Sequence, residues 1–200
     1  MAEFLAKTPE ERAKAAIYDH EGSSVLQLGH GVIRFVCGVG FTGEPLPYGS
    51  SLQQKVCAYD AAVVGTPVPV AVRINNRGTW LYTEHAFRVR RWIYPATETR
   101  TDIEVLTSGG ALHVDGQTTT TDSSDQLEAS REYVVLLKRV PGSGAFALAA
   151  KGLADRPGWM HDLQIPLLPY ELQNGDVPFD RFIDDLAIAA ASCHRALRQP

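Results

Sequence analysis

Residues 60–148 constrain this chain most, because they spell out the strands and turns of one small barrel in order. Ala61-Ala62-Val63-Val64-Gly65 opens the series. Asn75-Asn76-Arg77-Gly78 then supplies a tight turn, since asparagine and glycine accept turn geometry at least cost. A long alternating strand over 79–93 and a shorter one over 102–107 follow, and a hairpin over 133–149, bent at Pro141-Gly142-Ser143-Gly144, closes the series. The pattern predicts a mainly β fold with flanking helices (α+β) and supplies no chemistry of its own.

Two hundred residues, 44% of them hydrophobic, suffice for one full-sized domain with appended elements. The reading is an N-terminal extension over 1–50 with a short helix and strands, a barrel over 51–150, and a wrapping segment with a C-terminal helix over 151–200. A formal charge of −4 comes with no basic face of the kind a nucleic acid requires, so no nucleic-acid partner is expected. No apolar run approaches the roughly 20 residues of a membrane span. Residues 1–20 carry Glu3, Lys7, Glu10, Glu11, Arg12 and Lys14 where an export signal needs an unbroken apolar core, so the chain as written reads as cytoplasmic. The three cysteines, Cys37, Cys57 and Cys193, form no Cys-x-x-C. In a reducing compartment they are buried thiols. In an exported protein Cys37 and Cys57 could pair, for about 3 kcal/mol of stability.

Thr8-Pro9-Glu10-Glu11 is a capping box with proline at the first helical position, which predicts a helix to about Tyr18. Its apolar residues Ala13, Ala15, Ala16 and Ile17 are weak, so it reads as peripheral. Short strands are expected over 25–28 and 32–36, a loop over 38–47, and a second capped helix from Ser51 to Ala58. Pro67 and Pro69 mark the strand over 62–74 as an edge, a bulge or a bend. The polar stretch 116–125 reads as a mobile loop. Near the C-terminus, Phe182, Ile183, Leu186, Ala190, Cys193 and Leu197 make one apolar stripe, which predicts an amphipathic helix that docks.

On the long strand, Leu81, Thr83, His85, Phe87, Val89 and Arg91 share one face, and Trp80, Tyr82, Glu84, Ala86, Arg88 and Arg90 the other. The first set reads as core as far as Val89. Trp80, Tyr82 and Trp92 on the outward face are candidates for a stacking platform, unless the C-terminal third covers them. Arg88 and Arg90, with Arg91 opposite, are the one basic cluster: an anion site, or simply a solvated strand face.

Three segments resemble a family. Cys57-Ala58-Tyr59-Asp60-Ala61-Ala62-Val63-Val64-Gly65 looks like the opening of the netrin-like module shared with tissue inhibitors of metalloproteinases. Tyr82-Thr83-Glu84-His85-Ala86-Phe87-Arg88-Val89 is similar to that family's second long strand. Ser130-Arg131-Glu132-Tyr133-Val134-Val135-Leu136-Leu137 is similar to its glycine-x-x-tyrosine-leucine strand, with Ser130 and Arg131 where glycine is commoner. Bacterial, functionally uncharacterised proteins with such a barrel carry segments like Thr107-Ser108-Gly109-Gly110 and a similar terminal helix. The resemblance covers about 51–149 plus that helix. It implies a five-stranded antiparallel barrel of the oligonucleotide/oligosaccharide-binding (OB) type. It does not imply protease inhibition, which needs an N-terminal cysteine where this chain has Met1-Ala2-Glu3. Members of the family are often exported.

Candidate chemistry is sparse. Gly142-Ser143-Gly144 lacks the spacing of a nucleophile elbow. No pair among His20, His30, His85, His113, His161 and His194 has metal-ligand spacing, so neither a metal nor a cofactor is expected. Asp115, Asp122, Asp125 and Glu128 do not follow a calcium-loop pattern. His85 and His113, on strands that could be neighbours, are the one polar pair a fold might assemble. The leading expectation is a non-enzymatic binding module for a protein or polysaccharide, with no catalytic residue to nominate. The alternative is an enzyme or metal-binding protein built around His85 and His113.

Overall fold

The computed structural model describes residues 8–22, 26, 36–37, 56–123, 126–156, 159–161 and 177–196. In chain order these form α1 (Pro9–Ala16), β1 (Val36–Cys37), β2 (Ala61–Ile74), β3 (Leu81–Tyr94), β4 (Asp102–Ser108), β5 (Gly110–Val114), β6 (Gln117–Asp122), β7 (Glu132–Arg139), β8 (Phe146–Arg156), β9 (Trp159–His161), β10 (Val177–Pro178) and α2 (Phe179–Ala196). The strands expected over 25–28 and 32–36, the loop over 38–47, the start of the helix at Ser51 and most of the wrapping segment lie largely or wholly outside the described residues.

Strands β8, β4, β3, β2 and β7 are hydrogen-bonded in that order, and β7 pairs back onto β8, so the sheet closes into a five-stranded barrel. The barrel is mixed rather than wholly antiparallel, because β4 and β8 run parallel at Val105–Phe146 and Leu106–Ala147. The odd strand number requires this: five strands in a closed ring cannot alternate in direction throughout, and the parallel contact falls between β4 and β8. A smaller sheet of β1, β6 and β5 lies beside it. The stretch 116–125, expected as a mobile loop, instead contributes β6, whose threonines pair with β5 across an Asp115-Gly116 turn. Threonine is β-branched and suits a strand even where nothing apolar announces one.

Four apolar clusters divide the packing. The barrel interior holds Ala61, Val63, Phe87, Val89, Ile103, Val105, Val135, Leu137, Phe146 and Leu148. On the outer face of β2, β3 and β7, α2 packs Phe182, Ile183 and Leu186 onto Ala62, Val64, Ile93, Val134 and Leu136; each of the three helix residues contributes roughly 1.5–3 kcal/mol. Elsewhere on the outer surface, α1 and its following turn set Ala15 and Tyr18 against Trp80, Tyr82 and Leu106. Leu26, Ile74 and Leu81 form the fourth cluster.

Helix α1 forms where its capping box predicts, with Thr8 Oγ1 accepting from the Glu11 amide at 3.0 Å and Glu11 returning a bond to the Thr8 amide at 2.9 Å. It is not peripheral: Ala15 and Tyr18 are fully buried. The Asn75 side chain, also fully buried, explains the anchoring. Its amide donates to the Tyr18 carbonyl (2.8 Å) and to Thr79 Oγ1 (2.9 Å), and its oxygen accepts from the Thr79 amide (2.8 Å).

One expectation about cysteine is corrected. Cys57 is disulfide-bonded to Cys193, with Cα atoms 5.4 Å apart across 136 residues, and not to Cys37. The docking of α2 brings Cys193 to the residues leading into β2, a long-range consequence of the apolar stripe. Closing so long a loop contributes roughly 5 kcal/mol in the chain-entropy account.

Gly65 sits where β2 is paired on both edges, with Tyr133 of β7 and Val89 of β3. A Cβ built there would overlap the Arg88 carbonyl oxygen and stand 2.7 Å from Phe87 Cε1. Because the obstacle is backbone within a closed barrel, Gly65→Ala should cost about 3 kcal/mol. Urea unfolding checks this, and an unchanged midpoint would show that the barrel does not close tightly at this point.

Candidate functional site

Two polar groups of side chains lie within the barrel architecture, one inside it and one outside. Inside, β3 turns Thr83, His85, Phe87 and Val89 inward. His85 is 2% exposed, with Pro69 of β2 and Val105 of β4 as its register partners. His85 Nε2 lies 3.0 Å from Thr107 Oγ1, and Nδ1 has no hydrogen-bond partner. An orphaned lone pair is less costly than an orphaned N–H, which favours the tautomer in which Nε2–H donates to Thr107. Burial pushes the imidazole pKa down to about 4, so it is neutral over the physiological range. Thr83 Oγ1 donates to the Gly109 carbonyl at 2.8 Å. Lys151, in register with Val135 of the interior cluster, also starts inward; its ammonium donates to the Gln126 carbonyl at 2.6 Å and lies 6.0 Å from the Tyr133 ring centroid. A lone lysine in the apolar run Ala147–Leu153 was the available sequence signal for it.

Outside, α1 delivers Lys14 to a group of carboxylates on the outer face of β3 and β4. Its Nζ is 2.6 Å from Glu104, 3.7 Å from Glu10 and 3.9 Å from Glu84, while Arg73 Nε approaches Glu84 at 3.3 Å. Burial alone would lower the Lys14 pKa, but the hydrogen bond and charge of Glu104, then the charges of Glu84 and Glu10, outweigh it and raise it. Tyr18 stacks on Tyr82 with ring centroids 5.3 Å apart. Burial first, then the negative charge of Glu84, pushes the Tyr82 hydroxyl well up. These charges hold α1 on the barrel. Sequence reading missed the group because Lys14 and Glu104 lie 90 residues apart.

The aromatic platform expected on β3 is therefore not exposed. Trp80 and Tyr82 are 0% and 1% exposed, and among the described residues it is Ala15 of α1 and Tyr18 just after it, rather than the C-terminal third, that pack on them. Trp80 Nε1 donates to Ser108 Oγ at 2.8 Å. Trp92 is half-buried and packs against the interior cluster, its indole N–H donating to the Arg100 carbonyl at 2.7 Å. It leaves the outward set because β2 and β3 pair with register shifts at Ala62/Val63 and Val64/Gly65, and a one-residue shift exchanges the faces of a strand. Arg90 clamps α2, with Nε 2.8 Å from Glu132 and its guanidinium 5.6 Å from the Phe179 ring centroid, while Arg88 is exposed. The two do not combine into an anion site.

His85 and His113 are not brought together. His113 is exposed on β5, its Nδ1 3.0 Å from Thr118 Oγ1 across the hairpin, whereas His85 is sealed inside the barrel. Among the described residues no group of three His, Cys, Asp or Glu side chains could hold a metal ion, and no helix is long and apolar enough to cross a membrane.

What the surface does offer is a stretch of β2. Strand β7 pairs β2 only from Ala61 to Gly65, and beyond it no other described strand pairs the outer edge. There Val68 and Val70 are 50% and 66% exposed, and a register shift between Pro69 and Ala71 leaves Val70 as a bulge. Proline persists in a strand where its nitrogen faces away from the ladder, so Pro67 and Pro69 remove donors from the open edge and blunt it against strand addition.

No family model, curated protein or solved structure matches the chain.

The lowered pKa of His85 has a consequence for stability. Below pH 6.5 the unfolded chain takes up a proton that the folded chain refuses until about pH 4. Stability is therefore lost as pH falls through that window, by on the order of 3 kcal/mol at its lower end. His85→Asn removes this component. Between pH 7 and pH 4.5, urea unfolding should show the wild type losing about 2 kcal/mol more than the variant; equal losses would mean that His85 titrates normally.

Proposed function

We propose that this protein is a non-enzymatic interaction module, a barrel of the oligonucleotide/oligosaccharide-binding type that engages a protein partner. The ring order β2-β3-β4-β8-β7, with β4 and β8 parallel, supports that barrel type. The netrin-like resemblance of residues 57–65, 82–89 and 130–137 is consistent with it. The observation that carries the reading is the pair of exposed aliphatic side chains, Val68 and Val70, on the stretch of β2 that is open among the described residues. The stacking platform that would favour a polysaccharide or a single-stranded nucleic acid is not offered by Trp80 and Tyr82, which are covered. Aliphatic residues beside a proline-blunted edge favour side-chain contact with an apolar protein surface.

The alternative of an enzyme or metal-binding protein built around His85 and His113 draws less support. A sealed imidazole that bonds only to Thr107 reaches no exposed reactant. Replacing Val68 and Val70 together with aspartate leaves the core untouched. Thermal unfolding should be within about 2 °C of the wild type, and affinity for a purified host partner should fall at least about tenfold. Unchanged binding by a folded double variant would place the contact surface elsewhere. Substrate turnover lost on His85→Asn in a folded protein would favour the enzymatic reading.

A further inference from the structure

We propose that the Cys57–Cys193 bridge is a reversible thiol-exchange site, opened at Cys57 by a dithiol, and that opening it releases the C-terminal half of α2 while the N-terminal half stays docked. The two sulfurs differ in access: Cys57 is exposed, whereas Cys193 is 4% exposed on the buried stripe of α2. An incoming thiolate therefore attacks Cys57 Sγ. The S–S bond breaks, Cys193 leaves as a thiolate and takes a proton from water, and a mixed disulfide remains on Cys57. The second thiol of the dithiol then attacks its own sulfur in that mixed disulfide, which frees Cys57 as a thiol and leaves the dithiol oxidised. Two electrons pass to the protein. The freed Cys193 thiol already has an acceptor, the Ala189 carbonyl 3.7 Å away.

The anchoring of α2 makes the release local. Its large buried side chains, Phe182, Ile183 and Leu186, all lie in the first half. Among its described side chains the second half buries Ala189, Ala190 and Cys193, and Ile188 beside them is 71% exposed. Two alanines bury little area, so the covalent bond is the strongest hold described on that half. The bridge also anchors the residues entering β2, where Val56 is buried and Tyr59 is half-buried against the same cluster.

The test uses the full chain, titrated with dithiothreitol and, separately, with oxidised and reduced glutathione. Peptide mapping with differential alkylation should find one bridge, Cys57 to Cys193, and a glutathione adduct on Cys57. Amide exchange over 188–193 should accelerate at least about tenfold on reduction, and that over 180–186 by less than about threefold. Tm should fall by roughly 10 °C and recover on reoxidation. A bridge involving Cys37, an adduct on Cys193, or exchange that rises equally along α2 or not at all would overturn the proposal. Cys57→Ser should reproduce the reduced pattern. If that variant does not accumulate folded, reduction of the wild type gives the same reading.

Discussion

The structure depends on β2 being paired on both of its edges for only four residues, Ala62 to Gly65. Over that stretch β2 is paired with β3 on one side and with β7 on the other, and this double pairing closes the barrel. Close approach at that point requires that Gly65 carry no side chain, because the Arg88 carbonyl occupies the space. Closure turns Phe87, Val135 and Leu137 into a sealed interior, forces β8 alongside β4, and encloses His85 and Thr107. Past Gly65 no other described strand pairs that side, and the same strand carries two prolines, a bulge and two exposed valines. Core and exposed apolar surface thus follow from where β7 stops.

The charged residues are largely spent on holding the layers together. Lys14 reaches from α1 to Glu104 and Glu84, Arg90 from β3 to Glu132, and Arg100 to Glu98, while Asn75 ties the turn after β2 to the end of α1. Such pairs contribute modestly where solvent reaches them and more where they are buried, as at Glu84. The Lys14 pairs and Asn75 fix which face of the barrel α1 covers. That is why Trp80 and Tyr82, which a barrel could have offered as a stacking surface, are structural here.

Much of this was legible in the sequence because it is local. The capping box at Thr8, the turn at Asn75-Asn76-Arg77-Gly78, the alternation along β3 as far as Val89 and the apolar stripe of α2 each depend on residues a few positions apart. The misses were long-range. Strict alternation placed Trp92 outward, but irregular pairing with β2 turned it toward the interior. The weak apolar content of α1 concealed its role, since Ala15 and Tyr18 are buried by partners more than 60 residues away in sequence, such as Trp80 and Tyr82. A polar threonine run read as a loop because nothing local shows that β5 would pair with it. Nothing near Cys57 indicates that its partner is 136 residues ahead. Of the expected site, the residues were mostly visible and their association was not: His85 and His113 were legible as histidines on strands, and only closure of the barrel separates a sealed one from an exposed one.

Residue-resolved amide exchange along β2 tests this account most directly. Pairing on both edges predicts slow exchange at every consecutive amide from Ala62 to Gly65, then fast exchange at Val70, where the bulge meets the open edge. Uniform slow exchange through Val70 would mean that another segment covers that edge, and fast exchange at alternate amides between Ala62 and Gly65 would mean that the barrel is not closed.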